Sequence, residues 1–145
     1  MSHTFIVEPG RWIIKGSWRD KNKPVITFKG ATIITWDQAN WFTMKTKLVF
    51  DDGRPGIEFD YKGFLPSNRD QYTYVLRRTD FDKIEGEGWI NTDSIIQRYW
   101  ILGDNRHRTG FESLFQIDES SYFYSSTMVA GNNLISNMEG IFERH

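Results

Sequence analysis

Ten short runs of apolar and aromatic residues follow one another from about Arg11 to Arg144, each closed by a compact turn. Nothing of helical length interrupts them. A chain patterned this way has few folds open to it. Each run has the length of a strand, and turns this short make neighbouring strands antiparallel and adjacent in chain order. An open meander of that length would leave two long unpaired edges, whereas closing it on itself removes both. The pattern predicts an all-β chain, an antiparallel up-and-down meander β-barrel of about ten strands, whose inside is the natural place for a ligand.

The first four runs show their register plainly. Arg11–Trp18 places Trp12, Ile14, Gly16 and Trp18 on one face. Val25–Trp36 sets Ile26, Phe28, Ile34 and Trp36 against Thr27, Lys29 and Thr35. In Trp41–Phe50, Phe42, Met44, Leu48 and Phe50 oppose Thr43, Lys45 and Lys47, and then Ile57, Phe59 and Tyr61 alternate with Glu58, Asp60 and Lys62. Such period-two alternation is the signature of half-buried strands. The later runs, Gln71–Thr79, Phe81–Ile90, Ser94–Leu102, Thr109–Ile117, Ser121–Val129 and Leu134–Arg144, alternate less cleanly. Tyr72, Tyr74 and Leu76 form a face that continues to Arg78. In Gln97-Arg98-Tyr99-Trp100 each face carries one aromatic and one polar residue. Between the runs lie stretches such as Asp51-Asp52-Gly53-Arg54-Pro55-Gly56, Asn91-Thr92-Asp93 and Gly131-Asn132-Asn133, in which Gly, Asn, Pro and Asp supply turn chemistry.

Residues 1–145 read as one domain, with residues 1–9 leading into the barrel. Eighteen Lys and Arg balance 19 Asp and Glu, so charge gives no reason to expect nucleic acid or an anionic membrane surface as partner. Cysteine is absent, which excludes disulfides, thiolate metal sites and thiol nucleophiles and favours a reducing compartment. No signal peptide is expected at Met1–Glu8, and no apolar stretch approaches the ~20 residues of a membrane span. The expected setting is soluble and cytoplasmic, with a monomer and a homo-oligomer both left open. Aromatic residues reach 16% of the chain, more than strand preference alone asks for, and the excess can line a pocket.

Gly10-Arg11-Trp12 on the first strand, with Gly140-Ile141-Phe142-Glu143-Arg144 at the last, resembles the pattern of the calycin superfamily of lipocalins, fatty-acid-binding proteins and avidins. The resemblance implies that Trp12 closes one end of the barrel and that Arg144 packs across its indole, a contact of about 0.5–2 kcal/mol. Both residues would then be structural. Only Arg19-Asp20-Lys21-Asn22-Lys23 separates Trp18 from Pro24, too little for the helical pair that covers fatty-acid-binding proteins. The helix that follows the last lipocalin strand and the Arg-x-Tyr carboxylate grip are also missing. The likeness is to a lidless calycin, and it implies no fatty acid. A shorter stretch, Asp104-Asn105-Arg106-His107-Arg108-Thr109, is similar to a basic segment of the S-type phycobiliprotein lyases, calycin barrels that bind and transfer linear tetrapyrroles.

Constellations that carry chemistry are few. His3, His107 and His145 have no second ligand at metal spacing, so neither a metal nor another cofactor is expected. Ser113 and Ser125-Ser126 have only His107 in prospect as a base, and no nucleophile elbow occurs. Glu85 and Glu87 share a strand face, as do Glu58 and Asp60. Ile84, Gly86 and Gly88 take the face opposite the first pair, which suits outward, solvated acids. No catalytic residue is assigned. The reading that remains is non-covalent binding of a small, largely hydrophobic organic ligand. Its lining would comprise Phe28, Phe42, Met44, Phe59 and Tyr61, joined by Tyr72, Tyr74, Arg78, Arg98, Tyr122 and Tyr124 from the mixed faces. Aromatic walls, phenols and guanidiniums suit a flat, anionic molecule. An inward Arg78 or Arg98 requires a bound anion, trapped water or an internal acid such as Glu112. Two alternatives stand beside this one. A cofactor-free isomerase, cyclase or bilin-lyase-like enzyme would use the same phenols and arginine on a developing oxyanion. An interaction module with a filled core would show an apolar outer patch around Ile13, Phe64 and Trp89.

Overall fold

The computed structural model describes residues 2–81 and 83–145. Ten strands follow in chain order: β1 Gly10–Asp20, β2 Ile26–Trp36, β3 Trp41–Phe50, β4 Ile57–Phe64, β5 Gln71–Arg78, β6 Ile84–Ile90, β7 Ser94–Ile101, β8 Arg108–Asp118, β9 Ser121–Ala130 and β10 Asn133–Arg144. Each pairs antiparallel with the next. β1 and β10 then pair from Trp12 against Arg144 to Asp20 against Ser136, and the sheet closes. The expected meander barrel is the observed fold. The largest boundary difference is at β6, which begins at Ile84 instead of Phe81. Phe81 leaves the sheet because it is held between two guanidiniums, 5.0 Å from that of Arg78 and 4.6 Å from that of Arg108.

Alternation sends one face of every strand inward, and the inner faces make the core: Trp12, Ile14 and Trp18 from β1, Phe28 and Ile34 from β2, Phe42 to Phe50 from β3, and so around to Phe142 on β10. Ten strands enclose more width than aliphatic side chains fill, which accounts for the aromatic excess. The rings need floor space. They find it on glycines of the neighbouring strand: Phe42 over Gly63, Tyr74 over Gly86, Tyr72 over Gly88 and Tyr99 over Gly110, each pair directly opposed in the ladder. A Cβ at any of these glycines would enter the ring above it.

The two ends differ. At the Trp12 end the segment before β1 folds into the barrel, burying Phe5 and Ile6 completely. Phe5 packs 5.1 Å from the Trp12 ring and 4.8 Å from that of Phe142. The Trp36 indole donates to the Ile6 carbonyl at 2.7 Å, and Thr4 N–H donates to the Tyr122 hydroxyl at 3.0 Å. Ile6 has φ +67°, a conformation that costs a β-branched residue of order 1–3 kcal/mol and persists only where the surroundings enforce it. So the end is stoppered, although no helix covers it. Arg144 lies 5.6 Å from the Trp12 ring and binds Glu8 at 2.8 Å and the Pro9 carbonyl at 3.1 Å, which ties the stopper to the last strand. At the opposite end Arg78 and Arg108 face the two sides of Phe81, and each guanidinium has a bidentate carboxylate partner, Asp80 and Asp104 respectively.

Candidate functional site

The barrel centre holds a polar network in an aromatic shell. β5 supplies Tyr72, β7 Gln97, β8 Glu112 and β9 Tyr124, all buried. The Tyr72 hydroxyl donates to Gln97 Oε1 at 2.6 Å, and Gln97 Nε2 donates to Glu112 Oε1 at 2.6 Å. The Tyr124 hydroxyl donates to Glu112 Oε2. Every donor in this chain points towards Glu112, so the network is polarised to hold negative charge on that carboxylate. Buried polar groups persist only when paired, and here each bond satisfies the next.

Around the network the phenols stay protonated. Burial pushes Tyr61, Tyr72, Tyr74, Tyr99 and Tyr124 above the ordinary tyrosine range, and the Glu112 charge pushes the same way. They act as neutral donors at physiological pH. A void of about 30 Å³ remains beside the network, lined by Phe5, Ile14, Met44, Tyr61, Gln97 and Tyr124 among others. A smaller one of about 10 Å³ lies towards the Arg78 end, between Arg78, Tyr99, Glu112, Ser126 and Met128. Phe59 and Met138 border both. A void needs roughly 10–15 Å³ to admit one water, so the interior as it stands has room for water but not for a ring.

Of the residues predicted to line the interior, Phe28, Phe42, Met44, Phe59, Tyr61, Tyr72, Tyr74, Arg78, Tyr122 and Tyr124 are all buried inside the barrel. They do not form one cluster. Tyr122 belongs to the stopper, where its hydroxyl meets His3 Nδ1 at 2.8 Å, whereas Arg78 closes the far end against Phe59 and Asp80. Arg98 requires correction. On β7 the odd positions Ile95, Gln97 and Tyr99 face inward, so Arg98 lies outside, half-exposed, bonded to Glu87 at 2.8 Å across the β6–β7 pair and lying over Trp100. The expectation of an anionic ligand loses its footing with it. One of its two guanidiniums is outside, and the other is occupied by Asp80.

Gln97 and Glu112 are the central residues that sequence reasoning undervalued. Glu112 entered only as a conditional partner for an inward arginine, and Gln97 not at all as a site residue. The signal was present in Gly110, which seats Tyr99 on the inner face and so fixes the phase of both strands. Among the basic turn residues, Arg108 is held by Asp104, whose carboxyl the guanidinium keeps well below the usual carboxylate range, while Arg106 is exposed. Ile13, Phe64 and Trp89 are half-buried, and the most exposed large apolar side chains include Phe111 and Phe115 on β8. Among the described residues no cluster of three or more His, Cys, Asp or Glu is placed to hold a metal, and no helix is long and apolar enough to cross a membrane.

A closed, antiparallel ten-stranded barrel with its first strand paired to its last is a calycin-like fold. Solved structures carry the same architecture. Rv2717c from M. tuberculosis superimposes with a TM-score of 0.74 at 15% identity, over 94% of this chain and 91% of that one. The S-type phycobiliprotein lyase CPES from Guillardia theta does so with a TM-score of 0.66 at 13% identity, over 94% of this chain and 87% of that one. No family model matches the sequence, and no curated protein does.

Proposed function

We propose that the barrel binds a small, largely hydrophobic, ring-bearing organic molecule in its interior, with Gln97 and Glu112 fixing its polar group. The observation that carries this reading is Phe5. Its ring does not come from the barrel wall. It is delivered from outside by the lead-in segment, and it sits on the larger void among Ile14, Phe142 and the side chains next to Gln97. The interior thus already accepts one aromatic ring as a guest. A ligand would take that place, or widen the void beside it at the expense of Met44 and Met138, whose unbranched thioethers repack cheaply. A polar chain buried in an otherwise apolar barrel supports the same view, since orienting a ligand needs a few fixed donors and acceptors. One neighbour in fold is a phycobiliprotein lyase, so this architecture accommodates action on a ring-bearing molecule in another protein.

Native mass spectrometry of the protein purified from its own source, followed by denaturing extraction, tests the proposal. The expected result is a stoichiometric, ring-bearing small molecule released on denaturation. An empty barrel that also fails to take up naphthalene-sized compounds at saturating concentration would overturn it.

A further inference from the structure

Glu112 raises a question that hydrogen bonding alone does not answer. It is 5% exposed, its oxygens accept from Gln97 and Tyr124, and no cation lies within salt-bridge distance of it among the described residues. The one basic group that shares its void is Arg78, and both Nε and Nη2 of that guanidinium are bound by Asp80 at 2.9 and 2.7 Å. Counting the charged groups around this void, Arg78 and Asp80 cancel and Glu112 is left over. The surrounding side chains, Tyr99, Ser126, Ser136 and Met128 among them, bring no positive charge. An ionised carboxylate buried without a counter-charge is costly, and a chain of donors aimed at it lowers that cost without supplying the charge. The barrel therefore has a negative pole inside an apolar chamber.

Resting on the ligand-binding reading above, we propose that the ligand carries a positively charged, hydrogen-bond-donating nitrogen, an ammonium or amidinium on an apolar ring, and that this nitrogen binds Glu112. The ring occupies the larger void against Met44 and Phe5, and the nitrogen passes Phe59 and Met138, which border both voids, to reach the carboxylate. Nearby aromatic faces, Phe59 and Tyr99, favour a cation on the same path. This inverts the anion expected from the arginines in the sequence.

Three compounds of matched shape decide the matter: 2-ethylnaphthalene, 2-(aminomethyl)naphthalene and 2-naphthylacetate, titrated into the full chain and followed by the methyl resonances of its methionines. The amine is expected to bind about tenfold or more tightly than the ethyl compound, the worth of one charge-assisted hydrogen bond, and the acetate more weakly than either. In E112Q, checked for native circular dichroism, the amine should fall to within about twofold of the ethyl compound. Equal affinities in the wild-type chain, or a preference for the acetate, would overturn the proposal, and that series stands even where the variant does not fold. Binding of the ethyl compound without preference for the amine removes this inference alone. No binding of any of the three removes the ligand-binding reading with it.

Discussion

Gly88 has no room for a side chain, because the Tyr72 ring lies across it on the neighbouring strand and the Tyr72 hydroxyl must still reach Gln97. Gly88→Ala is therefore expected to lift that ring and loosen the polar chain, at about 1–3 kcal/mol, the usual cost of overpacking. Urea denaturation monitored by near-ultraviolet circular dichroism would read this as a lower midpoint with altered tyrosine signal. An unchanged midpoint would show that the ring contact is dispensable. Some of these relations are visible in the chain and some are not. Gly86 and Gly88 could be assigned to the inner face because Glu85 and Glu87 stand between them. Arg98 could not be placed, since Gln97 with Tyr99 and Arg98 with Trp100 are chemically equivalent pairs. Only the partner strands separate them, Gly110 beneath Tyr99 and Glu87 beside Arg98. Local alternation carries the phase of a strand whose two faces differ in polarity, and says nothing where they match.

The lead-in segment illustrates the same limit over a longer stretch. Phe5-Ile6-Val7 is too short to show a period, so nothing in the sequence distinguishes a stopper from a loose tail. The structure gives it a task, and the positive φ of Ile6 shows that its hold on the barrel is enforced by Trp36 and Tyr122. Phe5→Ala should cost about 3–5 kcal/mol, as for other large-to-small changes in a core. It should also enlarge the void and strengthen binding of 2-ethylnaphthalene. Thermal denaturation and titration of the same variant check both halves. A destabilised variant with weaker binding would show that Phe5 shapes the site instead of occupying it. The first five strands, by contrast, were readable nearly to the residue. Their outer faces carry Lys, Thr, Glu and Asp against apolar inner ones, and β-branched and aromatic residues fill the pleat.

Closure of the sheet gives the molecule one continuous interior, and its titration behaviour follows. Tyr61, Tyr72, Tyr74, Tyr99 and Tyr124 share that interior, and burial raises all five above the ordinary value of 10.0. A group whose protonated form is favoured in the folded state contributes no loss below its unfolded pKa. As pH rises above 10 the unfolded chain sheds protons that the folded chain keeps, and stability declines. Absorbance at 295 nm should accordingly show these five tyrosines ionising together, late, and in step with loss of the barrel's circular dichroism. Independent ionisation near pH 10 in an intact barrel would mean that water reaches the interior freely.

The interior is also where the account of function stands or falls. The chain has four methionines, and three of them, Met44, Met128 and Met138, face into the barrel, with Met44 and Met138 bordering the larger void. Selective ¹³C labelling of the methionine methyl groups, followed by titration with 2-ethylnaphthalene, reports on that void directly. Saturable shifts at Met44 and Met138, fitting a single site, are the predicted result. Methyl resonances that stay unmoved up to the solubility limit of the compound would contradict it, and would leave a barrel filled by its own side chains.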